Sequence, residues 1–307
     1  MLSGCALLAD PPLPPIVTAL VAPTARATVP PAHSDAALNA TPTAAAVSAA
    51  PSATLPVATP LSAATDTLPA CAEPAGQIIS TTVPSTTYPR PVRVSIYLPP
   101  CYSQAGGPLP VIYLLHGGSS DETQWPDLNV QREADALIES GAEPFVVVMP
   151  GGVYGAYDVD YEEFVLDDLL PGIEHGFKVS QQAAGRAIGG LSLGGYWALK
   201  LAFDHPDQFA AVEGNSPVVS HGAPEDPLAR ARTAGGLSQL RIRLDVGDLD
   251  SLRDGTALLA QILEARGLAV TLVIGPGSHA RSYWRSHTGE YLRFYLAALQ
   301  PAQFPQQ

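Results

Sequence analysis

The chain has 307 residues, with 16 Lys and Arg against 29 Asp and Glu, a formal net charge of -13. That acidity repels nucleic acid and anionic membrane surfaces, so neither is expected as an electrostatic partner. No apolar run approaches the roughly 20 residues of a membrane-spanning helix.

The first residues read "MLSGC", which places Leu2-Ser3-Gly4 directly before Cys5. This resembles the lipobox of bacterial lipoproteins, although the charged and apolar regions of such a leader are missing ahead of it. Cys5 is accordingly expected to carry lipid, to anchor the chain to a membrane and to place it outside the cytoplasm. From Ala6 to Ala70 there are 12 prolines, 20 alanines and 9 threonines, with four charges and no aromatic ring. Such a stretch has nothing large to bury, so residues 1–70 are expected to be a disordered or semi-stiff tether. One folded domain is expected over 71–300, followed by a tail over 301–307. Cys71 and Cys101 flank a short β-rich segment, an arrangement that suits a disulfide in an oxidising compartment. Neither has the Cys or His spacing of a metal site, and no metal is expected.

Eight short β-branched or apolar runs follow in chain order: "QIISTTV" from Gln77, "VRVSIYL" from Val92, "VIYLLH" from Val111, "FVVVMP" from Phe145, "RAIGGL" from Arg186, "FAAVEG" from Phe209, "RIRLDVG" from Arg241 and "AVTLVIG" from Ala269. The later runs are continuous rather than alternating, as strands buried on both faces are. Between them lie the helical stretches "NVQREADALIESG", "YEEFVLDDLLPGIEHGF", "LGGYWALKLAF" and "GTALLAQILEARG". Hairpin-like strands followed by βα units predict an α/β fold, a mostly parallel central sheet with helices on both faces and no large cap domain.

Gly190-Leu191-Ser192-Leu193-Gly194 falls between the "RAIGGL" strand and the helix that follows it. Gly-x-Ser-x-Gly is weak on its own in a chain with 27 glycines. At a strand-to-helix turn it matches a nucleophile elbow, where glycines allow close approach around a strained serine. Ser192 is therefore the expected nucleophile. It needs a histidine base oriented by a carboxylate, both on loops at the carboxyl ends of later strands. Gly247-Asp248-Leu249-Asp250 follows one such strand and Gly277-Ser278-His279 the next. Asp250 is preferred to Asp248 because Gly247 leaves room for the chain to turn back; Asp245 should lie within the strand. His279 is the expected base. His33 falls in the tether, His175 and His205 at helix ends, His221 ahead of the acid and His287 inside the last helix. The oxyanion is expected to meet the N–H of Leu193 and that of Gly118 or Ser119, in the loop after the "VIYLLH" strand. His116 is expected to be a structural partner of that loop. Trp125, Tyr154 and Tyr157 are candidate aromatic walls of an open cleft.

"VSIYLPPCY", "VIYLLHGGSSDETQW", "YEEFVLDDLLPGIE", "AIGGLSLGGYWALKLAFDHPDQFAAV" and "PGSHARSYWRSHTGEYLRFY" together resemble the esterase D branch of the α/β-hydrolases, over roughly residues 77–297. That branch includes feruloyl esterases, S-formylglutathione hydrolases, enterochelin esterases and mycolyltransferases. The resemblance implies Ser192, Asp250 and His279 as a triad and no cofactor. The chain departs from the branch at Leu193, where methionine is common, and at Trp197, where a small residue often packs, so the Trp197 indole is a further candidate for bordering the pocket. Cys101 replaces a frequent glycine, in keeping with a partner at Cys71. The expected activity is serine carboxylesterase, with feruloyl or acetyl esters of polysaccharides as leading substrates. The alternatives are acyl transfer to a sugar acceptor, an S-formylglutathione hydrolase-like thioesterase and a non-catalytic binding module, the last disfavoured by an unbroken triad.

Overall fold

Alternation along the central strands divides their side chains between two helical layers, one on each face of a single sheet. The structure is a computed structural model that describes residues 73–152 and 160–299. These residues belong to one compact unit. The whole expected tether, Cys5, Cys71, Tyr154, Tyr157 and the tail lie outside the described residues.

The strands are β1 Gln77–Val83, β2 Val92–Leu98, β3 Val111–Leu115, β4 Val146–Pro150, β5 Arg186–Leu191, β6 Ala211–Asn215, β7 Arg241–Gly247 and β8 Val270–Gly275. They form one sheet in the order β1-β2-β4-β3-β5-β6-β7-β8. The β1–β2 and β2–β4 pairs are antiparallel and the other five parallel. The expected fold class is observed, with strand bounds shifted by no more than two residues. Among the described residues no helix is long and apolar enough to cross a membrane.

In β3, Val111, Tyr113 and Leu115 face one core while Ile112 and Leu114 face the other, as a two-residue period requires. The first core is closed by α3 Tyr161–Glu163, a π-helical turn Phe164–Leu169, α4 Leu170–Gly176, α5 Leu193–Asp204, α6 Pro227–Thr233 and α7 Arg253–Ala265. The second is closed by α1 Gln124–Asp127, α2 Val130–Glu139 and α8 Arg281–Ala298. With both faces covered, β3 to β6 are buried at every position, including the polar Arg186, Glu213 and Asn215.

Two polar groups cross this apolar frame. Arg243 of β7 pairs with the fully buried Glu213 of β6 and lies 3.3 Å from Asp245. Burial pushes the Glu213 carboxyl up to about 8, with Arg243 pulling the other way. The Tyr291 hydroxyl of α8 donates to Asp245 at 3.0 Å, and the Arg243 guanidinium sits 5.5 Å over the Tyr291 ring. Asp245 therefore lies inside the strand, as expected, and ties α8 to the sheet. At the far edge Asp168 receives the Ser85 hydroxyl at 2.6 Å, the Thr86 N–H and hydroxyl, and the Thr87 N–H, locking the β1–β2 turn onto the π-helical segment.

Burial raises the Asp168 pKa, but these donors outweigh it and hold the carboxyl at about 2. The unfolded value is about 3.9, so the stabilisation is present above that pH and is lost as pH falls through the folded value. Asp168→Asn should lower unfolding free energy at pH 7 by about 2 kcal/mol, and the gap to the parent should close towards pH 2. Urea unfolding of both proteins across that range checks it; a gap independent of pH would contradict the assignment.

Candidate active site

Ser192 stands between β5 and α5 with φ 53° and ψ -111°, outside the regions an L-residue ordinarily occupies. Its surroundings fix that conformation. The Ser192 N–H donates to the Asn215 carbonyl at 2.9 Å, and its carbonyl accepts the N–H groups of Tyr196 and Val218 at 3.1 Å each. A Cβ on Gly190 would lie 2.4 Å from the Gly194 carbonyl, and one on Gly194 would lie 2.3 Å from the His116 carbonyl oxygen. The two glycines thus let β5, α5 and the loop after β3 meet around the serine. The Ser192 side chain is left half-buried at the start of a 12-residue helix, where the positive end of the helix dipole favours a developing anion.

The loops after β7 and β8 are stitched to each other. Asp248 N–H donates to the Gly275 carbonyl at 2.8 Å, Leu249 N–H to the Gly277 carbonyl at 2.8 Å, and Asp248 Oδ1 accepts the Gly277 N–H at 2.8 Å. Gly247 allows this, since a Cβ there would lie 2.4 Å from the Gly277 carbonyl oxygen. The Asp250 N–H closes a turn onto the Gly247 carbonyl at 3.1 Å, which directs the Asp250 carboxylate inward. The His279 Nδ1–H meets Asp250 Oδ2 at 2.9 Å, with the Asp250 side chain fully buried and the His279 side chain 33% exposed. Asp250 Oδ1 accepts the Leu252 N–H at 2.9 Å. An imidazole held this way presents its Nε2 lone pair as a base. Asp248 is exposed and acts on the loop rather than on the imidazole.

Loop 116–119 lies over the elbow. A Cβ built on Gly117 would be 3.6 Å from Ser192 Cβ, and one on Gly118 would be 3.8 Å from the Leu193 side chain. The Gly117 N–H is taken by Gln124 Oε1 at 2.7 Å and is therefore committed within the loop. Ser119 adopts a left-handed φ of 60° that turns the chain there. His116 is 2% exposed and its Nδ1–H donates to the Gly117 carbonyl at 2.6 Å. Burial lowers its pKa to about 4, so it stays neutral at pH 7 and belongs to the loop's framework.

Two expected walls are interior residues instead. Trp125 is 1% exposed, donates its indole N–H to the Leu115 carbonyl at 3.1 Å and meets Tyr291 edge-on. Trp197 is 4% exposed and packs edge-on against Tyr161 and Tyr196. Their rings fill the layers that support the loop and the elbow. Of the remaining histidines, His205 Nε2 lies 2.6 Å from Glu162, His221 packs on Tyr196, and His287 Nδ1 bonds the Tyr283 carbonyl within α8. His33 lies outside the described residues.

Three contributors were not singled out from sequence: Gln124, Ser216 and Trp284. Ser216 has a positive φ of 46°, and its N–H donates to the Asp245 carbonyl at 2.6 Å. Its hydroxyl accepts the Trp284 indole N–H at 3.1 Å, and the Trp284 ring stands perpendicular to His279 with centroids 4.9 Å apart. Ser192, Asn215, Ser216, Trp284 and His279 are thereby joined in one run of contacts. The available signal was a tryptophan five residues after the histidine, near the start of a helix. Among the described residues no cluster of His, Cys, Asp or Glu could hold a metal.

A family model described as "Putative esterase" matches residues 85–296. An esterase of Mycobacterium tuberculosis strain H37Rv is 33% identical over 133 residues, which cover 40% of this chain and 28% of that protein. An endo-1,4-beta-xylanase/feruloyl esterase of Xylanibacter ruminicola is 30% identical over 152 residues, 44% of this chain and 20% of that protein. The chain thus corresponds to less than a third of either relative. Among solved structures, a ferulic acid esterase matches with a TM-score of 0.70 at 25% identity, over 74% of this chain and 99% of its own. An S-formylglutathione hydrolase of Staphylococcus aureus matches with a TM-score of 0.64 at 21% identity, over 72% and 99% of the two chains. The architecture is that of the α/β-hydrolases.

The perpendicular indole should restrain the His279 ring. In Trp284→Ala the Nδ1–H of His279 should exchange with solvent roughly tenfold faster, equivalent to about 1.4 kcal/mol and near the upper worth of an aromatic pair. Trp284→Phe should restore most of the protection. Proton NMR of the downfield imidazole resonance measures both, and unchanged exchange in Trp284→Ala would remove Trp284 from the site.

Proposed function

The chain belongs to this esterase family, and on that premise we propose that it is a serine carboxylesterase acting through Ser192, His279 and Asp250. The observation that carries the proposal is the strained Ser192 at the strand-to-helix turn, bonded through Asn215 and Ser216 to the frame that holds the His279–Asp250 pair. Ser192 Oγ attacks the ester carbonyl while His279 Nε2 takes its proton. Asp250 holds the Nδ1–H tautomer and stabilises the imidazolium that forms. The N–H of Leu193 and that of Gly118 or Ser119 receive the oxyanion. The alcohol leaves with the proton from His279, and a water activated by the same ring then releases the acid.

Feruloyl or acetyl esters of polysaccharides are the proposed substrates. The likeness to a xylanase/feruloyl esterase and to a ferulic acid esterase supports that class. An extracytoplasmic location goes with it, through lipid on Cys5 and a Cys71–Cys101 disulfide. The disulfide is supported by Glu73, whose carboxylate accepts the Cys101 N–H at 2.8 Å and so brings a residue two positions from Cys71 beside Cys101. Closing a loop of about 30 residues stabilises by roughly 3 to 4 kcal/mol in the chain-entropy description.

Ser192→Ala, His279→Ala and Asp250→Ala should each reduce kcat/KM for a feruloyl ester by several orders of magnitude. Asp248→Ala removes only a loop contact and should cost about tenfold or less. Steady-state kinetics decide it: Asp250→Ala retaining turnover while Asp248→Ala loses it would reassign the acid. Peptide mapping without reduction should yield one species joining Cys71 to Cys101, and free thiols at both positions in protein from its native host would contradict the disulfide and the proposed location.

A further inference from the structure

A cavity of about 380 Å³ opens at the carboxyl end of β4, walled by Tyr88, Pro89, Arg90, Pro91, Asp121 and Glu122. One of its walls continues directly from the loop that covers Ser192. Asp121 follows Gly118 by three residues, a span of at most about 11 Å, and its charge acts on the buried His116 beneath the oxyanion loop. Gly151 forms part of the lining, where a side chain would collide with Glu122 and with the Arg93 carbonyl.

Among the described residues, the lining mixes fixed acceptors with one uncommitted donor. The Asp121 carboxylate accepts the Thr123 hydroxyl at 2.6 Å and the Thr123 N–H at 2.9 Å, and these bonds keep its pKa below the usual carboxylate range. Glu122 is nearly buried and pairs with Arg93 at 3.0 Å. Arg90 is exposed and, among the described residues, makes no ion pair or side-chain hydrogen bond. Its planar guanidinium offers five N–H donors. The rings of Pro89 and Pro91 add apolar surface between these groups.

An apolar acyl group would take the Arg90 guanidinium and the second Asp121 oxygen out of water while offering neither a hydrogen-bond partner. A simple anion would meet two carboxylates, Asp121 and Glu122, as well as Arg90 and the already paired Arg93. A ring with hydroxyls around its rim and C–H groups on its faces satisfies both kinds of wall. We propose that this cavity is a subsite for a sugar residue, the alcohol portion of a carbohydrate ester, with Arg90 and Asp121 bonding its hydroxyls. Its place in the reaction rests on the esterase reading above; the binding of sugar does not.

The test therefore has a binding arm and a kinetic arm. An unesterified arabinoxylo-oligosaccharide is titrated by calorimetry into the full chain, Arg90→Ala and Asp121→Asn. The parent should bind it, and each variant should bind about tenfold more weakly, the loss of one charge-assisted hydrogen bond. No binding by the parent, or equal affinity in all three, overturns the subsite whatever the esterase activity. In the kinetic arm, the ratio of kcat/KM for a feruloylated oligosaccharide to that for methyl ferulate should fall about tenfold in Arg90→Ala. An unchanged ratio, with both substrates affected equally, would assign the cavity to the acyl group and contradict the proposal. Oligosaccharide bound by the parent and weakened in both variants, but no ester hydrolysed, would leave the subsite standing and overturn the esterase reading alone.

Discussion

The structure depends on one constrained residue. Ser192 is held at φ 53° and ψ -111° because three segments approach too closely for any side chain at Gly190 or Gly194. Such a conformation costs of order 1–3 kcal/mol and persists only where its neighbours over-determine it. Here β5 is hydrogen-bonded on both sides in a parallel sheet, and the first turn of α5 begins immediately afterwards. The same crowding that strains the backbone lifts the hydroxyl out of the core and brings loop 116–119 over it. Strain, exposure and the neighbouring N–H groups are consequences of one packing arrangement.

The His279 imidazole is positioned by a separate polar frame. Arg243, Glu213 and Asp245 bind the second and third strands from the sheet edge to α8 through Tyr291, in a region that apolar packing alone would leave free to slide. Helix α8 carries Trp284 against His279, and Ser216 fixes the indole from the strand side. The imidazole is thus gripped at Nδ1 by a buried carboxylate and across its ring by an anchored indole. Buried ionic groups of this kind contribute little net stability. What they do here is link β6 and β7 to α8 through the Tyr291 hydroxyl.

Much of this was legible in the sequence. The short, continuous β-branched runs of β3 and β4 pointed to strands covered on both faces, and Gly-x-Ser-x-Gly at the end of β5 located the elbow. Gly247 pointed to a turn that directs Asp250 inward, and the structure shows the mutual contact with Gly277 that demands a glycine there. The burial of Trp125 and Trp197, both candidates for cleft walls, is not legible because an aromatic residue near a site looks the same in sequence whether it faces solvent or core. Burial of both rings follows from where α1 and α5 cross the sheet, which no local pattern encodes. Ser216 and Trp284 escaped for a related reason: they are 68 positions apart in the chain and act only through each other.

The account's central claim is that a single serine at the strained turn is the reacting group. A fluorophosphonate should label the full-length protein at one site, stoichiometrically, and peptide mass mapping should place the adduct on Ser192, with labelling lost when His279 is replaced by alanine. An adduct on another residue, or no adduct in protein that hydrolyses esters, would contradict it.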